Sequence, residues 1–338
     1  MRVETSLPIG DLREVGEVAA RLEASGYDTI TTEETRHDPF LPLAVAAVDT
    51  TTVGLATGVA IASSRSPMVA ARLGWDLQKA SKGRFELGLG TQVEGDEGLA
   101  GAPAPAPPPR LEEYVWAVRE IWQTWAEARP LALDGEPCRF EPMTPSSTPD
   151  PLDVGPPRIS IAADGPGSVR VAGRVADGVR LHPFCTRDYV EASVLPLLEA
   201  GLAAAGRDRS SFTIAGGGFV CTGPDDEAVA EAMDRVRYRI GCCGSTRAFW
   251  PVLAQHDLVE LGERLSHLSE SGGWDEMAAL IDDDTVRLFA AVGRHDQIVD
   301  AIAERFGGIS DSVGLGSGLG SGTALDVPPD LLSDIRAT

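Results

Sequence analysis

The densest group of side chains able to move a proton in the N-terminal half is Glu33-Glu34-Thr35-Arg36-His37-Asp38, just after a β-branched run at Tyr27 to Thr32. Imidazole titrates near neutral pH, so His37 is the candidate general acid or base, with Glu34 or Asp38 placed to fix its tautomer. The plainer alternative is that His37 braces the loop. A second group, Ala163-Asp164-Gly165-Pro166-Gly167-Ser168, runs directly into a helical pattern. Its glycines permit close backbone approach, and the first amides of a helix carry partial positive charge, a combination suited to phosphate. The same residues also read as an ordinary strand-to-helix turn capped by Asp164 or Ser168. Gly88-Leu89-Gly90-Thr91-Gln92 fits either a closely approached planar ligand or a tight turn, and His182 stands before Pro183 at the end of a further strand.

Other chemistries lack their residues. The five histidines show no His-x-His and no His-Glu-x-x-His, which disfavours a metal-dependent hydrolase, and there is no Gly-x-Ser-x-Gly elbow. No metal site is expected. Cys138, Cys185, Cys221, Cys242 and Cys243 form an odd set without Cys-x-x-Cys spacing, so reduced thiols are expected. Trp116, Trp122 and Trp125 read as core packing at helical spacing. Lys and Arg number 29 against 51 Asp and Glu, and a net charge of −22 disfavours nucleic acid and anionic membrane surfaces, which need a cationic face. The apolar stretch Phe40 to Val48 is cut by Asp49 and is too short to span a bilayer. Glu4 interrupts what a signal peptide would need, so the expected compartment is the cytoplasm.

The elements that must position these groups alternate between two periods. Short β-branched runs at 2–5, 27–32, 52–61, 85–89 and 158–162 are separated by helical spacing such as Leu12, Val15, Val18, Ala19 and Leu22. Residues 178–181 and 212–221 continue the alternation, and 312–315 supplies an eighth strand. No dinucleotide glycine fingerprint follows the first strand. The pattern therefore predicts an α/β fold, a (β/α)8 TIM barrel whose working loops follow the strands' C-terminal ends. Proline-rich loops at 101–109 and 137–157 flank the fourth helix. A helical insertion is expected over about 224–306, before the last strand. Residues 1–322 are expected to form a single barrel domain and 323–338 a C-terminal tail behind a Gly/Ser linker.

Several segments extend this reading: Thr-Arg-His-Asp-Pro-Phe-Leu-Pro-Leu (35–43), Arg-Ser-Pro-Met (65–68), the run from Trp75 to Val93, 172–179, Gly-Ser-Thr (244–246) and 277–283. Over Met1 to Leu315 the chain resembles the luciferase-like monooxygenase superfamily, and within it the actinobacterial oxidoreductases that use coenzyme F420. The resemblance implies a barrel, usually dimeric, holding a deazaflavin or flavin in its mouth and acting on a small organic substrate. It places a cis peptide at Gly58-Val59 behind the cofactor ring, the coenzyme phosphate on the amides of 163–168, and His37 beside the reactive ring carbon. Thr91, Gln92 and His182 complete the expected cofactor-binding set, with Gly58, Val59, Ala163, Asp164, Gly165, Gly167 and Ser168. FMN is the alternative cofactor, in a monooxygenase served by a separate reductase; a non-catalytic barrel acting as a binding protein is the other reading. Where the family pattern has a basic arm after strand four, this chain has Glu94-Gly95-Asp96-Glu97-Gly98-Leu99-Ala100, and Cys242-Cys243 replaces aromatics before Gly-Ser-Thr.

Overall fold

The computed structural model describes residues 1–7, 10–91, 108–129, 133–134, 139–140, 148–163, 165–316 and 327–338. Its strands are β1 (Arg2–Ser6), β2 (Thr29–Thr32), β3 (Gly54–Thr57) with β4 (Ala60–Ile61) just beyond it, and β5 (Phe85–Gly90). A short antiparallel pair, β6 (Leu133–Asp134) and β7 (Arg139–Phe140), precedes β8 (Arg158–Ala163), β9 (Gly178–Leu181) and β10 (Thr213–Gly216). β11 (Phe219–Gly223), β12 (Ala290–Arg294) and β13 (Ser312–Gly314) follow. The parallel order β3-β2-β1-β13-β10-β9-β8-β5 closes on itself through Leu55↔Phe85, giving the eight-stranded barrel that the alternation predicts. β1 and β13 make the seam, with Arg2↔Ser312 and Val3↔Val313 in register.

Helices α1 (Val15–Ser25), α2 (Phe40–Asp49), α3 (Pro67–Ala80), α4 (Pro108–Ala126), α5 (Pro166–Val175), α7 (Leu195–Ala204) and α13 (Ile298–Phe306) are the barrel's longer helices. Local chemistry sets their ends. Pro67 opens α3 behind the Ser66 cap, and α1 stops at Gly26, whose φ of 101° suits glycine. Trp75, Trp122 and Trp125 are buried, with the Trp122 indole donating to the Ala71 carbonyl at 2.9 Å. Gly74 leaves the room for this, since a Cβ there would lie 2.8 Å from Trp122. Trp116, expected in the same cluster, is 65% exposed instead. Six residues at about 100° each turn it roughly 120° away from Trp122.

Two segments differ from expectation. The stretch 212–221 is not one strand: Gly216 and Gly217, at φ 77° and 97°, turn the chain so that β10 stays in the barrel and β11 leaves to pair with β12. The insertion is therefore not purely helical. It joins that parallel pair to α8 (Asp226–Gly244), α9 (Trp250–Ala254), α10 (Val259–Ser271), α11 (Trp274–Ala279) and α12 (Asp283–Phe289). These share a separate core that includes Phe219, Ile240, Leu265 and Phe289 and reaches Phe184 after β9, just ahead of the one-turn α6 (Arg187–Tyr189). The C-terminal stretch, expected as a tail, carries α14 (Pro329–Arg336), whose Leu332 and Ile335 are fully buried. Arg336 donates to Asp28 at 3.1 Å, and the Met1 amino group bonds the Arg336 carbonyl. Leu331, Leu332 and Ile335 give this helix an apolar stripe that the Gly/Ser run before it obscures. No helix among the described residues is long and apolar enough to cross a membrane.

Candidate active site at the barrel mouth

Alternation along the strands sorts side chains between the barrel interior and its outer layer. The interior is defined by Arg180 of β9, which reaches across to Glu4 of β1 and Glu86 of β5, each at 2.8 Å. Ser160 donates to Glu86 at 2.7 Å and Ser312 to Glu4 at 3.0 Å. Burial opposes charge on Arg180 and Glu86. Even so, the two carboxylates hold the Arg180 guanidinium well above its usual range, and Arg180 with Ser160 pulls Glu86 below its own. One inward step up, Ser6 and Thr31 pair in register and their hydroxyls meet at 3.4 Å. The next step along the β2 column is Glu33, and along β9 it is His182.

The wall beside β2 is made of small residues. Gly58-Val59 is a cis peptide between β3 and β4, where the resemblance placed one. A Cβ on Gly90 would lie 2.6 Å from Val59, and one on Gly88 1.9 Å from the Thr57 carbonyl, so larger residues do not fit there. The bulge is pinned from outside. The Gly58 amide donates to Thr32 O at 2.7 Å and the Glu34 amide to Val59 O at 3.1 Å. The Glu34 carboxylate accepts from the Ile61 amide at 2.6 Å, from Ser64 at 3.1 Å and from two nitrogens of Arg65 at 2.8 Å each.

The acids expected to orient His37 are engaged elsewhere. Both oxygens of Glu34 are committed to the bulge and none orients His37. Asp38 uses Oδ1 on the Phe40 and Leu41 amides at 2.8 and 3.1 Å, which starts α2, and lies 3.9 Å from Arg65. His37 is exposed and has no hydrogen-bond or ionic partner among the described residues.

The opposite wall holds the other expected residues. Ala163, Gly165 and His182 line a shallow cleft with Phe184, Tyr189 and Phe249. Gly165 is extended at φ −159°, a conformation open to any residue, and a Cβ there would meet nothing within 4 Å. Gly167 packs against α4, where a Cβ would strike Pro108 at 2.6 Å, and the Ser168 hydroxyl is taken up by the Gly165 amide and carbonyl at 3.2 and 2.9 Å. Thr91 is half-buried at the end of β5. Gln92, Asp164, the acidic arm 94–100 and Cys138 lie outside the described residues.

His182 is buried against the Phe249 ring, centroids 4.5 Å apart, and its Nδ1 accepts the Phe184 amide at 3.0 Å. That bond leaves the ring proton on Nε2. Burial, aided by the Arg239 charge, pushes its pKa down to about 4, so the ring is neutral at physiological pH. Two residues of this mouth were not singled out from the sequence: Glu33 and Arg239. Burial pushes the Glu33 carboxyl up, while Arg239 and a hydrogen bond with Ser6 work the other way. Arg239 sits on α8, its guanidinium 4.8 Å from the Phe219 ring centroid, so the insertion supplies a cation to the mouth. Cys243, one turn further along the same helix, is pushed up to about 12 by burial and remains a thiol. The signal for Glu33 was the period of two running Thr29, Thr31, Glu33; nothing local in the sequence marks Arg239.

The fold and site define a class: a closed parallel barrel with an α+β insertion over its mouth, a small-residue wall at β3–β5 and a neutral histidine opposite. A profile described as luciferase-like monooxygenase matches residues 2–311, and the chain belongs to that family. It is 40% identical over 314 residues to an uncharacterized protein of Mycobacterium tuberculosis, covering 93% of this chain and 92% of the other. It is 26% identical over 290 residues to a 5,10-methylenetetrahydromethanopterin reductase of Archaeoglobus fulgidus, covering 83% and 82%. Among solved structures, a coenzyme F420-dependent tetrahydromethanopterin reductase from Methanopyrus kandleri superposes with a TM-score of 0.80 at 20% identity, over 99% of this chain and 96% of that one.

Proposed function

We propose that this chain is an oxidoreductase that holds coenzyme F420 in the barrel mouth and passes a hydride between it and a small organic substrate. The observation that carries the reading is the β3–β4 bulge at the barrel mouth, which Gly88 and Gly90 admit because a Cβ on either would strike Thr57 or Val59. The sequence relation to a methylenetetrahydromethanopterin reductase supports a hydride-transfer chemistry. A deazaflavin supplies a two-electron hydride at its ring and reacts poorly with oxygen. The residues present fit it: the β3–β4 bulge backs the ring, Ala163 and Gly165 leave the backbone open to a phosphate, and neutral His182 offers an Nε2–H donor. Glu34 and Arg65 hold the bulge in place from behind.

We further assign a homodimer, supported by the exposed apolar residues Leu41 and Val48 on α2 and Val69 on α3, and a cytoplasmic setting, supported by free thiols at Cys185, Cys221, Cys242 and Cys243. Absorbance titration with coenzyme F420 and, separately, FMN tests the cofactor. A perturbed deazaflavin spectrum with saturable binding is expected. Saturable binding of FMN alone replaces the reading with a flavin-dependent one, and no response to either makes the chain a non-catalytic barrel.

A further inference from the structure

We propose that Glu33, and not His37, is the catalytic residue that carries the proton accompanying hydride transfer, from its place at the top of the inward column of β2. The inference rests on the oxidoreductase reading above and deepens it.

Three acids and a histidine follow β2, and the structure separates them by what they can still do. Glu34 turns outward and gives both oxygens to Ile61, Ser64 and Arg65. Asp38 starts α2. His37 lies exposed at the lip. Glu33 alone continues the inward column above Thr29 and Thr31, next to the residue whose amide clasps Val59 across the ring-backing bulge. Its neighbours fit a proton carrier. From β1, Ser6 gives it a hydrogen bond; from α8, Arg239 faces it as the cation whose field reaches it; and from β9, the same Arg239 field reaches His182, which is neutral. It forms no ion pair with Arg65, which is spent on Glu34. A carboxyl that burial raises and a cation restrains holds its proton more readily than a solvent-exposed or doubly ion-paired acid, and so is better placed to give and regain it.

In the reducing direction, the substrate's carbonyl carbon gains a hydride with its electron pair, the C=O π pair moves to oxygen, and that oxygen takes the proton from Glu33 Oε. The carboxylate left behind is reprotonated from solvent. In the oxidising direction, the Glu33 carboxylate takes the alcohol proton as hydride departs from carbon. The coenzyme is the only redox partner the step requires.

The test uses the full chain as wild type, Glu33→Gln, Glu33→Asp and His37→Ala. Infrared difference spectra of wild type at neutral pH are expected to show a protonated-carboxyl C=O band that vanishes in Glu33→Gln and shifts when coenzyme F420 is added. A group whose folded-state pKa lies above its ordinary 4.5 gives up stability as pH rises through the folded value. Glu33→Gln should therefore gain on wild type in melting temperature as pH rises above 4.5. With reduced coenzyme and cyclohexanone as probe carbonyl, Glu33→Gln should lose about 10²-fold or more in kcat at unchanged coenzyme Kd, with partial rescue in Glu33→Asp and no loss in His37→Ala. A carboxyl band that survives in Glu33→Gln or ignores the coenzyme overturns the inference, as does a kcat loss in His37→Ala equal to that of Glu33→Gln. Wild type that binds no coenzyme F420 overturns the F420 reading itself, and is seen in the titration before any variant is made.

Discussion

Glu86 and Glu33 occupy two levels of one barrel, and burial acts on both in the same direction. At the interior layer, Arg180 at 2.8 Å and Ser160 at 2.7 Å reverse the effect and keep Glu86 an anion. At the mouth, among the described residues, Glu33 has Ser6 and the field of Arg239, and burial prevails. The difference lies in whether a cation is in contact, and it divides the barrel into a layer that fixes the fold and a layer left free to exchange protons.

The largest test of this comparison removes the cation that Glu86 has and Glu33 lacks. Arg180→Met leaves Glu4 and Glu86 buried without a counter-charge and should cost about 3–5 kcal/mol in urea unfolding. A loss within about 0.5 kcal/mol would show that the layer relaxes to admit water, and the contrast with the mouth would disappear.

A third carboxylate sharpens the point without any cation in contact. Glu23 accepts the amides of Thr51, Thr52 and Val53 at 2.9, 2.6 and 2.9 Å, and against the burial that would raise it these bonds hold its pKa at about 2. Its contribution is present above about pH 4.5 and is lost as pH falls toward 2. Glu23→Gln should lower stability by about 1–2 kcal/mol at neutral pH and flatten the acid limb of a stability–pH curve. A curve parallel to wild type would mean that amides do not substitute for Arg180.

His182 probes the mouth from the base side. Because its folded pKa is near 4 and its ordinary one 6.5, the folded state loses stability as pH falls through that interval. His182→Gln keeps an acceptor for the Phe184 amide and should remove about 1 kcal/mol of that decline. The smallest effect belongs to His37→Ala, expected within about 0.5 kcal/mol in thermal melts, as for an exposed side chain without partners.

The barrel was legible because strand and helix periods alternate cleanly from β1 to β10, and each apolar run faces a helix stripe. The insertion's strands were not, since Gly216 and Gly217 break a continuous β-branched run that reads as one element. α14 was missed because its stripe follows a run with a linker's composition. At the site, the β2 loop and the Gly58-Val59 bulge were found from residue types and resemblance, but the choice among Glu33, Glu34, His37 and Asp38 was not. Residue chemistry favoured the imidazole, whereas the two-residue period past Thr31 decides which side chain turns inward. Arg239 arrives from α8, about two hundred residues away in sequence, and only packing brings it to the mouth.

The seam between β1 and β13 also sets a timetable for synthesis. A ribosome completes Glu4 308 residues before Ser312, the residue that bonds it, and at 5–20 residues per second this is an interval of roughly 15–60 s. Throughout it the first strand keeps an open edge; Arg180 follows Glu4 by 176 residues, and Ser312 comes only at the end. A nascent chain halted short of residue 312 is therefore an unclosed sheet with the β1 and β10 edges unpaired, the kind of edge that invites pairing with other chains.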